Sequence, residues 1–147
     1  MHALVAPMTD HAIAQVRELE KKMLALPQLD IPTEHVLHGG MYTRTIFVPA
    51  GSLVTGVVVK VPTTLIVSGD VWIFIAGKAV MLQGYNVFAA SAHRKQAVYA
   101  ITDACITMSL VTNAKSIEDA EEVFTDEVSC LGSRRDSVAN RVLITGE

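Results

Sequence analysis

Five short segments rich in β-branched and aromatic residues follow one another along the middle of the chain, and turn residues bound each of them. No helical pattern separates these segments, so the crossover helices of a parallel βαβ sheet are not predicted. Several short strands with regularly spaced turn signals are typical of a β-sandwich or barrel. The sequence therefore predicts a mainly β fold, with strands within 41–51, 52–62, 63–75, 78–91 and 96–113.

Two segments outside this region have the spacing of helices. In residues 9–26, apolar side chains recur at three- and four-residue steps, and Thr9 or Asp10 is placed to cap the first turn. Pro27 is expected to end this helix, because proline disfavours helical backbone in the residue before it. The second predicted helix covers residues 115–128, where acidic side chains suit the positive start of a helix.

The chain has 147 residues, which is the size of one domain. Residues 27–40 predict a connecting arm, since two prolines favour extended backbone and two glycines favour a turn. Residues 142–144 predict a short strand that adds to a sheet edge of this chain or of a neighbour. The predicted single domain, 1–147, thus has an N-terminal helix and arm at 1–30, a β region at 31–113, and a C-terminal helix and tail at 114–147.

Charge and composition narrow the classes of partner. A net charge of −3 gives no basic surplus for nucleic acid, and an aromatic content of 5% leaves few side chains to stack on bases. No run of about 18 apolar residues is present, so no membrane partner is predicted. Because 50% of residues are hydrophobic and 18% charged, we expect self-association into a homodimer or a larger ring to cover apolar surface.

Residues 31–113 carry a series of short motifs in a particular order. The motifs are His35, Gly-x-Tyr-x-Arg at 40–44, Pro-Ala-Gly-Ser at 49–52, Ser-Gly-Asp at 68–70, the basic triplet at 93–95 and Ala-x-x-Asp at 100–103. The order and spacing of these motifs resemble a cupin-like (RmlC-like jelly roll) family of bacteriophage proteins. The resemblance implies a jelly-roll sandwich or barrel and a phage-encoded structural protein.

The metal ligands of cupins are missing from this pattern. Metal-binding cupins place a His-x-His pair and a Glu on the strands after the Pro-Ala-Gly turn, and another His downstream. Here residues 55–64 hold no His, Asp or Glu, and residues 105–110 hold no His. Zinc, iron and manganese need imidazole, carboxylate or thiolate ligands. We therefore expect no metal centre, no cofactor and no catalytic residue.

Tyr42 and Arg44 are the first candidate site residues. They lie two positions apart on a predicted strand, so both side chains point to one face. An inward-facing arginine needs a carboxylate partner, for which Asp70 and Asp103 are the candidates. A structural ion pair is the favoured interpretation, and a ligand-binding site formed by Tyr42, Arg44 and Asp103 is the alternative.

His93, Arg94 and Lys95 are the second candidate set, a local positive cluster. Such a cluster binds an anion or a carboxylate of a protein partner, or it forms a solvated turn. His35 and His38 are three positions apart, and the surrounding proline and glycines argue against a helix on which they would share a face. Hydrogen-bonding or exposed histidines are therefore predicted there, rather than a metal-binding pair.

Three functions are consistent with these observations. The first is a non-enzymatic phage structural or assembly protein, decorating or cementing the capsid or otherwise attached to virion proteins, located in the virion or the host cytoplasm. The alternative is a binding module for a small molecule or a host protein, of the counter-defence type. The third is a metal-dependent cupin enzyme with a displaced site at His35, His38 or His93.

Overall fold

The computed structural model describes residues 2–75 and 77–147, which form eleven strands and two α-helices. The helices are α1 (Asp10–Met23) and α2 (Ile117–Phe124), and 3-10 turns follow at Val128–Cys130 and Gly132–Arg134. Within these described ranges, no helix is both long and apolar enough to cross a membrane. The strands are β1 (His2–Val5), β2 (Thr33–His38), β3 (Met41–Val48), β4 (Leu53–Thr55), β5 (Thr63–Ser68), β6 (Val71–Ile75), β7 (Lys78–Leu82), β8 (Tyr85–Ala90), β9 (Ala97–Ala100), β10 (Ala104–Val111) and β11 (Asn140–Ile144).

The strands form a seven-stranded sheet and a four-stranded sheet. The larger has the order β1-β8-β5-β10-β3-β2-β11, and the smaller has the order β4-β9-β6-β7. Most neighbours are antiparallel, while the two terminal strands β1 and β11 pair in parallel with β8 and β2. This arrangement is a jelly-roll β-sandwich and confirms the predicted mainly β fold with a helix towards each end of the chain.

Alternating side chains place the core between the two sheets. On β3, Tyr42, Arg44, Ile46 and Val48 point inward in turn. Val48 belongs to an apolar core that both sheets share, whereas Tyr42 belongs to a second core beneath α2. The interior therefore has an apolar body and, at one end, a polar mouth that α2 covers.

Helix α1 packs on the outer face of the four-stranded sheet of its own chain. Its buried residues Ala12, Ile13 and Val16 lie against Ala97 and Phe74. The Thr9 hydroxyl accepts a hydrogen bond of 3.1 Å from the Ala12 amide, as the cap prediction requires. The helix ends at Met23, earlier than predicted, because the Ala25 and Leu26 amides donate to carbonyl oxygens three residues back, which tightens the chain into a turn before the proline is reached.

Three further predicted boundaries were wrong. The arm at 27–40 contains β2, because this segment pairs with β3 on one side and with β11 on the other. The run at 52–62 contributes only the three-residue β4, since Val57 and Val59 beyond it turn into the second core. Helix α2 is shorter than 115–128, because the backbone becomes extended at Thr125. The predicted tail strand is present as β11 and joins the edge of the chain's own sheet.

Candidate functional site

Helix α2 closes the polar mouth of the sandwich. Its Ser116 cap accepts a hydrogen bond of 3.1 Å from the Asp119 amide. The buried residues Ile117, Ala120, Glu121 and Phe124 recur at helical spacing and give one face towards the interior. Among them Glu121 is the charged one, so the helix delivers a carboxylate to the inward side chains of β3.

Glu121 binds two arginines. Arg44 Nη1 donates to Glu121 Oε2 at 2.9 Å, and Arg134 Nε donates to Glu121 Oε1 at 3.0 Å. Arg44 Nη2 also donates to the Ser133 hydroxyl at 2.8 Å. The side chains of Glu121 and Arg44 are 3% and 10% exposed, so this pair is nearly removed from water. We call Arg44, Glu121, Ser133 and Arg134, with the hydrogen-bonded Tyr42, His35 and Asn140, the mouth network.

The aromatic members of the mouth network form a chain of hydrogen bonds. His35 Nε2 lies 2.6 Å from Asn140 Oδ1, and His35 Nδ1 lies 2.6 Å from the Tyr42 hydroxyl. In the neutral imidazole, Nε2 thus donates to the amide oxygen and Nδ1 accepts from the tyrosine. Burial lowers the pKa of His35 and raises the pKa of Tyr42, which favours these neutral forms. The Phe124 ring stacks on Tyr42 and lies under the Arg44 guanidinium.

The structure contains the expected ion pair at Arg44, but neither predicted partner forms it. Asp103 accepts a hydrogen bond from the Ala50 amide at 2.8 Å, and Asp70 accepts one from the Gly84 amide at 3.0 Å. Strand β10 runs antiparallel to β3, so Asp103 lies beyond the Val48 end of β3 and away from Tyr42. Tyr42, Arg44 and Asp103 therefore do not lie together, and the ligand site predicted from the three of them is not assembled.

The basic triplet is also divided, which corrects the predicted surface cluster. Exposed His93 Nε2 lies 3.1 Å from Asp10 Oδ1. Lys95 is buried, and its Nζ donates to Glu20 Oε2 at 2.7 Å and to a backbone oxygen at 2.6 Å. Arg94 points into the sandwich. The triplet is split because successive side chains of an extended segment alternate between faces, and His93 adds a left-handed turn with φ of 61°.

Arg94 is an interior cation that sequence reasoning missed. Its side chain is 1% exposed, and it donates to the Ser91 backbone oxygen and the Thr63 hydroxyl, both at 2.6 Å. Within the described residues its Nε has no hydrogen-bond partner, and the same holds for the Nε2 of Gln96. Burial lowers the pKa of Arg94 to about 10. The signal in the sequence is the two-residue spacing that puts Arg94 and Gln96 on the same face as Val98 and Ala100, the inward residues of β9.

A groove of about 430 Å³ runs along the exposed flank of α1. Ile13, Ala14 and Val58 form its apolar wall. Two ion pairs border it, Arg17 with Glu127 at 3.0 Å and Lys60 with Asp126 at 2.6 Å, and His93 lies 3.1 Å from Asp10. Glu127 also accepts the Val58 amide, and its pKa is lowered by this bond and by Arg17 although burial opposes the shift.

The three histidines considered for a metal lie apart. His35 is inside the mouth network, His38 bonds to the Thr145 hydroxyl at 2.7 Å, and His93 borders the groove. Across residues 2–75 and 77–147, no three His, Cys, Asp or Glu side chains are grouped to hold a metal ion. Val57 and Val59 turn into the second core, and their side chains have no atom that can ligate a metal.

No protein-family model and no curated protein matches the chain. A solved structure from Photorhabdus luminescens is 11% identical, with a TM-score of 0.46 over 57% of this chain and 78% of that one. A conserved protein of unknown function from Streptococcus pyogenes is 15% identical, with a TM-score of 0.43 over 59% of this chain and 79% of that one. Salicylate 1,2-dioxygenase from Pseudaminobacter salicylatoxidans is 16% identical, with a TM-score of 0.47 over 80% of this chain and 36% of the enzyme. These are similarities of fold, and the jelly-roll assignment rests on the strand order given above.

Proposed function

We propose that this protein is a non-enzymatic assembly protein that binds further copies of itself through the outer face of the four-stranded sheet. The observation that carries the proposal is a row of three exposed apolar side chains. Tyr99, Trp72 and Met81 lie directly opposite one another on β9, β6 and β7, and are 42%, 44% and 44% exposed. Aromatic residues and methionine are the types enriched in the centres of protein interfaces.

The position and charge of this row favour a second copy as its occupant. Helix α1 covers the half of the face that contains Ala97 and Phe74, and leaves the row beside it uncovered. No outward position of the four strands carries a charge, so two copies can pack face to face without like-charge repulsion. These outward positions are Leu53, Thr55, Trp72, Phe74, Ala79, Met81, Ala97 and Tyr99.

The mouth network supports a non-enzymatic role. Its one carboxylate is held by both arginines, and α2 lies over the end of the sandwich where they meet. The resemblance to phage cupin-like proteins supports a capsid-decorating or other virion-associated role, with virion proteins as further partners and the virion or host cytoplasm as the location. Stoichiometric amounts in purified particles are expected on this proposal, and repeated absence from them would contradict the virion location.

Trp72→Ser tests the self-association. We expect it to raise the dissociation constant of the oligomer about 30-fold, because central interface tryptophans are typically worth about 2 kcal/mol or more. Sedimentation equilibrium measures the constant. Tyr85→Ser is the matched control, since Tyr85 is an exposed aromatic on the other sheet. A monomeric wild-type protein, or equal effects of the two substitutions, would contradict the proposal.

A small-molecule binding module is the second candidate, and the groove beside α1 favours it. The volume of about 430 Å³ lies within the range of small-molecule sites. Arg17, Lys60 and His93 border it, and the exposed side chains of Asp10 and Asp126 can turn to solvent, so an aromatic carboxylate is the ligand class that fits. Titration with benzoate is expected to shift the NMR signals of Val58 and His93, with the shifts reduced at least threefold in Lys60→Ala. Shifts confined to other residues would exclude this site.

A further inference from the structure

Strand β11 leaves one edge of the seven-stranded sheet open. It is the last strand in the sheet order, and all five of its residues are exposed. Val142, Leu143 and Ile144 give it an apolar character, and Arg141 is its charged residue, paired with Glu34 at 3.1 Å. Natural edge strands are usually blocked by lysines, proline, a bulge or a covering element. The sequence of β11 contains no lysine or proline, and its register with β2 runs without a bulge.

The backbone of β11 presents every second residue outward. In a parallel pair, alternate residues of each strand bond to the neighbour through both their N–H and C=O groups. The Thr33 amide donates to the Ala139 oxygen, and the Thr145 amide donates to the Leu37 oxygen. Odd-numbered residues of β11 therefore bond to β2. The N–H and C=O groups of the even-numbered residues, Val142 and Ile144 among them, face away from the sheet.

A second copy of the same strand fits this edge. If two β11 strands meet antiparallel with Val142 on a two-fold axis, each Val142 exchanges both backbone hydrogen bonds with its symmetry mate. Asn140 then bonds to Ile144 of the other copy, and Arg141 faces Leu143 rather than another Arg141. This register places the two apolar Val142 side chains together and keeps the two Arg141 side chains from facing each other. The contact is also closed at two copies, because a two-fold interface uses the same edge of both.

We propose that β11 strands of two copies pair antiparallel about Val142 and join their seven-stranded sheets into one continuous sheet. The inference rests on the proposed function, self-association, but uses a surface separate from the Trp72 row. Two independent self-contacts on one chain produce assemblies larger than a dimer.

Val142→Pro tests this pairing. Proline removes the outward N–H of residue 142. It is tolerated there because β11 bonds to β2 through its odd-numbered residues. Val142→Lys keeps the backbone intact and places two ammonium groups beside the axis, and Val142→Thr is the matched control because it retains the donor and the β-branched shape. Sedimentation equilibrium is expected to show at least a tenfold rise in the dissociation constant for proline and lysine, and less than a threefold change for threonine.

Hydrogen exchange of the full-length protein gives a second measurement. We expect the amides of Val142 and Ile144 to become protected as protein concentration rises, whereas the Leu143 amide is protected at every concentration by β2. Concentration-independent exchange at Val142 in an oligomeric sample would overturn the edge pairing. If Trp72→Ser dissociates the protein while Val142→Pro and Val142→Lys do not, the proposed function stands and the edge pairing fails.

Discussion

Replacing Glu121 by alanine is expected to lower the free energy of unfolding by about 3–5 kcal/mol, the usual cost of removing one partner from a buried ion pair. The loss arises because the Arg44 guanidinium stays in the mouth without its carboxylate, and Arg134 loses the same acceptor. Urea denaturation, followed by far-ultraviolet circular dichroism, measures the change as a shift in midpoint at constant slope.

The neighbouring Glu122 supplies the control. It lies on the same helix but is exposed, so Glu122→Ala is expected to change stability by no more than about 0.5 kcal/mol. Equal effects of the two substitutions would show that the mouth network contributes nothing specific. A double variant with Arg44→Met and Glu121→Leu is expected to recover most of the stability, because well-packed apolar residues often replace buried ion pairs without loss.

Gly69→Ala is expected to destabilise the fold by about 3 kcal/mol or more, through both conformation and contact. Gly69 has φ of +126°, which side-chain-bearing residues rarely adopt. A Cβ atom there would lie 2.7 Å from the Asp103 backbone oxygen and 2.8 Å from the Ala104 Cβ. Neither neighbour is the end of a flexible side chain, so the turn between β5 and β6 would have to move away from β10.

Gly84 is the control for a positive φ without a close contact. It has φ of +71° and open space around the position of a Cβ. Gly84→Ala therefore tests the conformational cost alone and is expected to lose about 1–2 kcal/mol. Thermal unfolding of both variants gives the comparison. If Gly69→Ala is no more destabilising than Gly84→Ala, the close approach of the turn to Asp103 and Ala104 has no energetic weight.

Local patterns predicted the parts of this fold that depend on neighbouring residues. The two-residue spacing of Tyr42 and Arg44 correctly placed both on one face of β3, and the apolar spacing in residues 9–26 located α1. The predicted ends of the helices and strands were less accurate, since these ends depend on contacts with distant parts of the chain. Residues 33–38 read as an arm because their pairing partners, β3 and β11, are specified elsewhere in the sequence.

The candidate site depended on distant pairings that no local pattern contains. Glu121 lies 77 positions from Arg44, on a helix whose acidic residues all resemble a solvated face in the sequence. Only the packing of α2 on the mouth selects Glu121 from among them. The prediction that Arg94 lies in a surface cluster was wrong for the same reason. The adjacent His93 and Lys95 suggested a shared surface, whereas the course of the backbone points the Arg94 side chain into the sandwich.

The parallel pairing of β11 with β2 also bears on how the protein emerges from the ribosome. His35 and Asn140 are 105 positions apart in the chain, so at ~5–20 residues per second roughly 5–20 s of translation separate them. Throughout that interval, β2 has an open edge and His35 lacks the amide that it binds in the finished protein. A nascent chain is therefore most exposed to wrong strand pairing at β2, and a chaperone that binds extended segments would have its target there.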